Sequence, residues 1–570
     1  MGGAGLAFTA ISCVFFMALV GFVSWIKTRG TTETKDGYFL AGRGLGATFI
    51  AGSLLLTNLS AEQLIGLNGS AYGYNLSSMG WEVTAAVATI AMALIFLPKY
   101  LAGAFTTLPQ FLNDRFDPVV RRMSVVLFML GYGLVTIPSV LYSGSVAVLL
   151  LFDVPGLTGL SYFQSLVATV VVIGITGSIY AIFGGLRAVA VSDTINGIGL
   201  LIVGILVPVF GLIALGDGDF GAGLEQLGSQ HTEKLNAIGD ADAPTPFGTL
   251  FTGMIFANLF YWCTNQYVIQ RTLGAKSLAE GQKGVLFSGF FKILVPFMMM
   301  LPGVIAFHLY GPGLGSIDEA YPRLIRDVLP VYLSGFFLAV LLGAVFSSFN
   351  SLLNSAATLF SLDVYAPARG DTATDAELVR VAKIASIVIA LFSFVVAPML
   401  YFAEQGLWQI IRVFTGFYNI PTVVIVIVGL FTARVPALGA KLVIVFHVVT
   451  YGLLRFVFAE DVTLHFLHQY AILFFVEVAI MLACGWLRPR GTAWQFTRNE
   501  KVDMTPWRFA KPLAVTLFSC VVATYLLFSP LGVASETGPG TVFTVLISAL
   551  ALANLALWGV NLRQREVKAG

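Results

Sequence analysis

An all-α integral membrane protein is the fold class this sequence predicts, on three observations. Of its 570 residues 57% are hydrophobic and 11% charged, where a soluble chain carries about 25% charged residues. Apolar runs recur from end to end, each long enough for a helix to cross ~30 Å of hydrocarbon. The runs do not alternate in polarity, and they are about twice the ~10-residue length of a barrel strand. The net charge of +2 carries little information, because its distribution matters more. No soluble domain, nucleotide motif, nucleophile–base pair or metal set is visible, so neither an enzyme nor a nucleic-acid binder is expected.

About fifteen spans follow in order, near 5–26, 45–72, 77–98, 123–150, 160–183, 189–215, 247–270, 284–309, 331–363, 380–402, 406–433, 442–458, 466–487, 512–530 and 540–562. The first run has no basic residue before it and no small-residue cleavage site after it, so it reads as a span and not a leader. With the N-terminus outside, the inner loops hold 26 of the 32 Lys and Arg residues and the outer segments four. Arg271 is counted in the inner segment 271–283. That asymmetry predicts N-out, C-in. The acidic outer segment 217–246 covers an external vestibule or is simply solvated. All four cysteines lie in apolar runs without a CxxC, and read as small hydrophobes.

Two basic residues remain outside this loop count, Lys292 and Arg412, and both lie within spans. A lysine at mid-bilayer costs about 2.5–3.5 kcal/mol, and nothing in FFKILVPF (290–297) offsets it. Lys292 lies roughly 13 Å inside its span, so it should face protein, water or a ligand. Glu82 in GWEVT is an available partner. Span 45–72 carries TNLSAEQ (57–63), which puts Asn58, Ser60, Glu62 and Gln63 in the bilayer core. At ~42 Å if straight, the span is also over-long. A polar centre in an over-long span predicts a broken helix, tolerated where unwound backbone lines a cavity. A second interruption is expected in ANLFYWCTNQY (257–267). Five spans separate the starts of the two, and five is odd, so the two halves have opposite topology. That is an inverted repeat with a site at the membrane midplane.

In GAVFSSFNSLLNS (343–355), Ser347, Ser348, Ser351 and Ser355 recur at helical spacing. Hydroxyls with freed carbonyls suit a weakly held monovalent cation. Small residues also serve helix packing. Asp193, near the inner end of its span, either hydrates that end or lies on an ion path. Glu477, outside the repeat, reads as a structural pair or a neutral acid.

These stretches together resemble the sodium/solute symporter family in its sodium–glucose and sodium–galactose branch, over roughly residues 35–435. The resemblance rests on IYAIFGGLRAVAVSD (179–193), SAEQLIG (60–66), NLFYWCTNQYVIQRTLGAKS (258–277) and SSFNSLLNSAATLFSLDVY (347–365), in that order. It implies a LeuT-like, five-plus-five inverted-repeat core at 45–435, with halves 45–216 and 247–435. Residues 1–44 would add one helix before it, and 436–570 about four peripheral helices after it. It implies sodium-coupled import of a sugar by alternating access, with sodium co-transported. Carried over residue by residue, the sugar contacts would be Gln63, Glu82, Asn258 and Lys292, with Tyr261 stacking as an inner gate. Sodium would be held by backbone carbonyls of Leu56, Leu59 and Ala344 and the hydroxyls of Ser347 and Ser348. Asp193 would lie on its release route.

Two positions depart from the family pattern. Arg412 in WQIIRVFTG stands where the sugar branch has glutamine, and Ala85 stands in place of a serine. Arginine holds a carboxylate bidentately, so Arg412 either binds a sugar acid or other carboxylate solute, or pairs with an internal acid such as Glu82. A neutral hexose is the favoured substrate. The expected partners are the sugar, sodium and the bilayer, in a bacterial inner membrane.

Overall fold

The computed structural model describes residues 3–28, 34–152, 154–370, 372–402, 407–496 and 500–569. The regular structure of the described residues is helical. Their β pairing is confined to two isolated bridges, Leu45 with Ala275 and Ser277 with Asp503.

Thirteen described helices are long and apolar enough to cross a membrane. The sequence predicts about fifteen, and the two that fall short are the two expected to be interrupted. Span 45–72 is two helices, Ala47–Asn58 and Ala61–Gly73, bent by 57°. Leu59 and Ser60 leave helical geometry between them (ψ 85° and 169°). Span 247–270 is built from shorter pieces: a 3-10 turn Phe247–Phe251, a helix Gly253–Leu259, a π turn Phe260–Thr264 and a helix Gln266–Leu273. Asn265 is extended (φ −76°, ψ 118°) and breaks it. Spans 162–179 and 186–215 lie in one helical stretch, Tyr162–Leu215, so the link expected near 183–189 is itself helical.

Burial orders the helices from centre to rim. In the span Val331–Ala368, 83% of the most apolar window is buried, against 17% in Ala7–Lys27 and none in Thr541–Leu562. Small residues allow the inner helices to touch. A Cβ on Gly303 would meet the Asn68 carbonyl oxygen at 2.1 Å, and one on Gly52 would meet Thr194 at 2.8 Å. Helix association in lipid depends on such close packing.

The segment 217–246 is docked against the helices. Its Lys234 is buried and donates to the carbonyls of Tyr72 (2.9 Å) and Gly73 (3.3 Å). These belong to the last turn of Ala61–Gly73, where carbonyls otherwise lack partners.

The later helices are tied to the core as well. His447 and Glu477 are both fully buried and 2.5 Å apart. The other imidazole nitrogen lies 2.9 Å from the Gly416 carbonyl. A carbonyl only accepts, so that nitrogen carries hydrogen and donates. Gly416 lies in helix Leu407–Phe431, in which Pro421 has no N–H and the Ile420 N–H donates to Asn419 Oδ1 at 2.6 Å.

Candidate functional site

The two broken helices face one cavity of about 190 Å³. The first break contributes Thr57, Asn58, Ser60 and Gln63, and the second Asn258, Tyr261, Trp262 and Asn265. The short helix Gly80–Val83 brings Trp81 and Glu82 to the same space. Polar groups collect here because an unwound backbone in lipid must face protein or a cavity.

Glu82 is the electrostatic centre. It is 3% exposed. Gln63 Nε2 donates to its Oε1 at 3.2 Å, and Lys292 Nζ donates to its Oε2. Lys292 itself is 1% exposed, and its ammonium lies 5.5 Å from the Trp262 ring centre. The lysine sits behind Glu82 and is not among the lining side chains. A carboxylate has about four lone-pair sites, so Glu82 keeps acceptor capacity beyond these two bonds.

The remaining polar groups suit a solute bearing hydroxyls. Asn58 Oδ1 and Gln63 Oε1 are buried acceptors with no hydrogen-bond partner among the described residues. The Asn258 amide donates to Thr84 Oγ1 at 3.0 Å. Tyr261 meets Trp262 and Tyr267 edge-on, with centroids 5.6 and 5.8 Å apart. Arg412 belongs to helix Leu407–Phe431, but its side chain lies outside the described residues, as does that of Glu62. Ala85 lines the cavity.

Beneath the first break the backbone releases acceptors. The Ser60 N–H donates to Asn58 O (3.0 Å), and those of Gln63 and Leu64 both donate to Ser60 O. The carbonyls of Leu56 and Leu59 therefore lack these four-residue partners. Thr57 Oγ1 lies 3.3 Å from Ser351 Oγ, which holds the break against helix Val331–Leu359. That helix also carries Ala344, Ser347 and Ser348, all buried. Ser348 lines the cavity, and its hydroxyl has no partner among the described residues.

Asp193 is fully buried and accepts from Ser53 Oγ at 2.6 Å, with Ser347 beside it. It lies within helix Tyr162–Leu215 and not at its end. Arg271 corrects the sequence reading more sharply. It was assigned to an inner loop, yet it is fully buried in helix Gln266–Leu273. Its Nε donates to Ser53 Oγ at 3.0 Å, and it also bonds Ser351 Oγ and Tyr267 O. Hydropathy ends the span at residue 270, three residues before the helix does. The available signal is Asp193, an intramembrane acid that needs a counter-ion. Sequence reasoning also missed Trp81, Thr136, Tyr418, Asn419, Phe466 and Tyr470 as lining residues.

Comparison with known proteins places this geometry. The family model described as "Sodium:solute symporter family" matches residues 38–445. An uncharacterized symporter, YidK of Escherichia coli (strain K12), is 46% identical over 94% of this chain and 93% of its own. The sodium/glucose cotransporter of Vibrio parahaemolyticus is 31% identical over 76% of this chain and 83% of its own. The solved structure of a Na+-coupled sialic acid symporter, substrate-bound and outward-open, superposes with a TM-score of 0.72. It is 20% identical and covers 85% of this chain and 98% of its own. That likeness supports a LeuT-type fold for the helices described above.

Proposed function

The chain belongs to the sodium:solute symporter family, so it is a sodium-coupled carrier and not an enzyme, and from that premise we propose that it imports a sugar, a neutral hexose first among them. One observation carries the reading. Glu82, steadied by Gln63 and Lys292, shares a cavity with the unpaired acceptors of Asn58 and Gln63. A sugar hydroxyl both donates and accepts, and once desolvated it needs such partners. Tyr261 and Trp262 offer flat faces to the C–H side of the ring. Relatives named for glucose and myo-inositol transport support a polyhydroxylated cargo.

In this reading Gln63, Glu82 and Asn258 meet the hydroxyls, while Lys292 acts through Glu82. Sodium binds at the carbonyls of Leu56, Leu59 and Ala344 and the hydroxyls of Ser347 and Ser348, and leaves past Asp193. Sodium steadies the break at Leu59–Ser60 and so orders Gln63. The coupling is reciprocal: sugar must tighten sodium by the same factor. One sodium falling through 100 mV supplies about 2.3 kcal/mol, and a tenfold gradient about 1.4 kcal/mol. The transport core spans 45–435, in halves 45–216 and 247–435, between 1–44 and the peripheral 436–570. The charge asymmetry of the loops supports an N-terminus outside and a C-terminus inside a bacterial inner membrane. Arg412, in place of the family's glutamine, favours a second reading, a sugar acid held by its guanidinium.

The test is ligand-induced stabilisation of the purified protein, with and without sodium, by neutral hexoses, inositol and sugar acids. Binding raises apparent stability by mass action. The proposal expects a neutral hexose to stabilise only when sodium is present. Stabilisation by a sugar acid alone would transfer the conclusion to the Arg412 reading. A panel without any hit would overturn both.

A further inference from the structure

The family model ends at residue 445, but the cavity does not. Phe466 and Tyr470, on the first turns of helix Phe466–Leu487, line its wall. Phe466 stacks on Trp81, with centroids 6.4 Å apart and planes within 12°, and Trp81 immediately precedes Glu82. Tyr470 is buried and meets Phe466 edge-on at 5.6 Å; Asn419 lines the same cavity.

This wall is held rigidly. A Cβ on Gly253 would meet the Leu467 carbonyl oxygen at 1.7 Å, so the start of the helix packs directly on the second broken helix. One step along, Phe256 and Phe474 stack with centroids 3.8 Å apart. Gln469 Nε2 donates to Leu464 O at 2.7 Å, fixing the turn before the helix. Phe466 and Tyr470 are therefore pinned against the helix that carries Asn258 and Tyr261 and against the residue beside Glu82.

We infer that Phe466 and Tyr470 contact the solute and set which polyhydroxylated compounds the cavity accepts. The inference rests on the sugar reading above and deepens it. Glu82, Gln63, Asn58 and Asn258 pair with hydroxyls, and so select the class of cargo. They read where hydroxyls stand, whereas the bulk and shape of the ring between those hydroxyls are read by the fit of the wall. A mismatch of one methylene in an apolar wall is worth about 10–200-fold. Here that wall comes from a helix beyond the matched family region, so carriers that share the core can differ in cargo through this helix.

The experiment uses the full chain in sealed proteoliposomes, with variants Phe466→Ala, Phe466→Leu and Tyr470→Phe. KM and maximal rate are measured for each transported neutral hexose and for inositol. Phe466→Ala is expected to change the ratio of kcat/KM between two solutes by about tenfold or more, with a smaller shift for Tyr470→Phe. A purely structural role would lower all solutes by a common factor, and ratios within twofold of the unmodified protein overturn the inference. If Phe466→Ala does not fold, Phe466→Leu keeps apolar bulk and must itself move the ratio; unchanged ratios there are equally fatal. A sugar that binds the unmodified protein while the ratios stay fixed sinks this inference alone. An unmodified protein that takes up no sugar sinks the sugar reading and this inference with it.

Discussion

Replacing Lys292 by methionine removes a charge and keeps most of the side-chain volume. What remains is the Glu82 carboxylate, 3% exposed, with only the Gln63 amide at 3.2 Å to offset its burial. Breaking one partner of a buried pair costs about 3–5 kcal/mol. The reciprocal change, Glu82→Gln, strands the Lys292 ammonium at 1% exposure and is expected to cost about the same. The double variant strands neither charge, and replacing a buried pair together is often neutral for stability. Each single variant should therefore melt well below the unmodified protein in detergent, and the double variant should recover most of the loss. Uptake should not recover, because the carboxylate that meets the hydroxyls is gone. A hydrogen bond to a charged group is worth about 1.5–3 kcal/mol, which at 1.4 kcal/mol per tenfold is roughly ten- to a hundredfold in apparent affinity. A double variant as unstable as the sum of the singles would refute the pairing argument. Sugar transport at a normal rate by that variant would refute the role of Glu82.

Three further outcomes follow from the geometry. Ser348→Ala should raise the sodium concentration for half-maximal uptake several-fold; unchanged sodium dependence would mean that the hydroxyl only packs. Gly303→Ala should lower the yield of folded protein sharply, since its Cβ would stand 2.1 Å from a backbone oxygen, where only backbone movement relieves it; normal yield and melting would count against the close approach. His447→Phe should free the Gly416 carbonyl and strand Glu477, with a loss of about 3–5 kcal/mol, while His447→Phe with Glu477→Leu should restore melting. Failure of the pair to restore it would separate the two residues.

The fold was legible because hydropathy reports lipid exposure directly, and nearly every span is continuous. The two breaks were legible for a complementary reason. Polar residues in TNLSAEQ and ANLFYWCTNQY have no place against lipid, so their presence marks unwound backbone. Lys292 was legible only as a demand for a partner; its position behind Glu82 is a matter of helix rotation, which composition does not encode. Arg271 was misplaced because a hydropathy boundary treats the first basic residue after a span as its end. Here the helix turns inward after Asn265 and carries the guanidinium with it. Phe466 and Tyr470 were invisible as lining residues, since aromatic side chains at the start of a span look like membrane-interface anchors.

The Glu82–Lys292 pair has an electrical consequence. A carboxylate and an ammonium in contact carry no net charge through the transmembrane field, so reorienting that pair moves no current. The buried Asp193 and Arg271 carry opposite charges and meet through the Ser53 hydroxyl. Over a complete cycle the protein's own charges return to where they began, so net current per cycle is set by the cargo. One sodium with a neutral solute delivers one elementary charge, and one sodium with a singly charged acid delivers none. The ratio of current to solute flux in a voltage-clamped membrane therefore reads the charge of the cargo without any knowledge of its structure. Hyperpolarisation should drive accumulation of a neutral solute by about 2.3 kcal/mol per 100 mV and leave a one-to-one acid carrier indifferent to voltage.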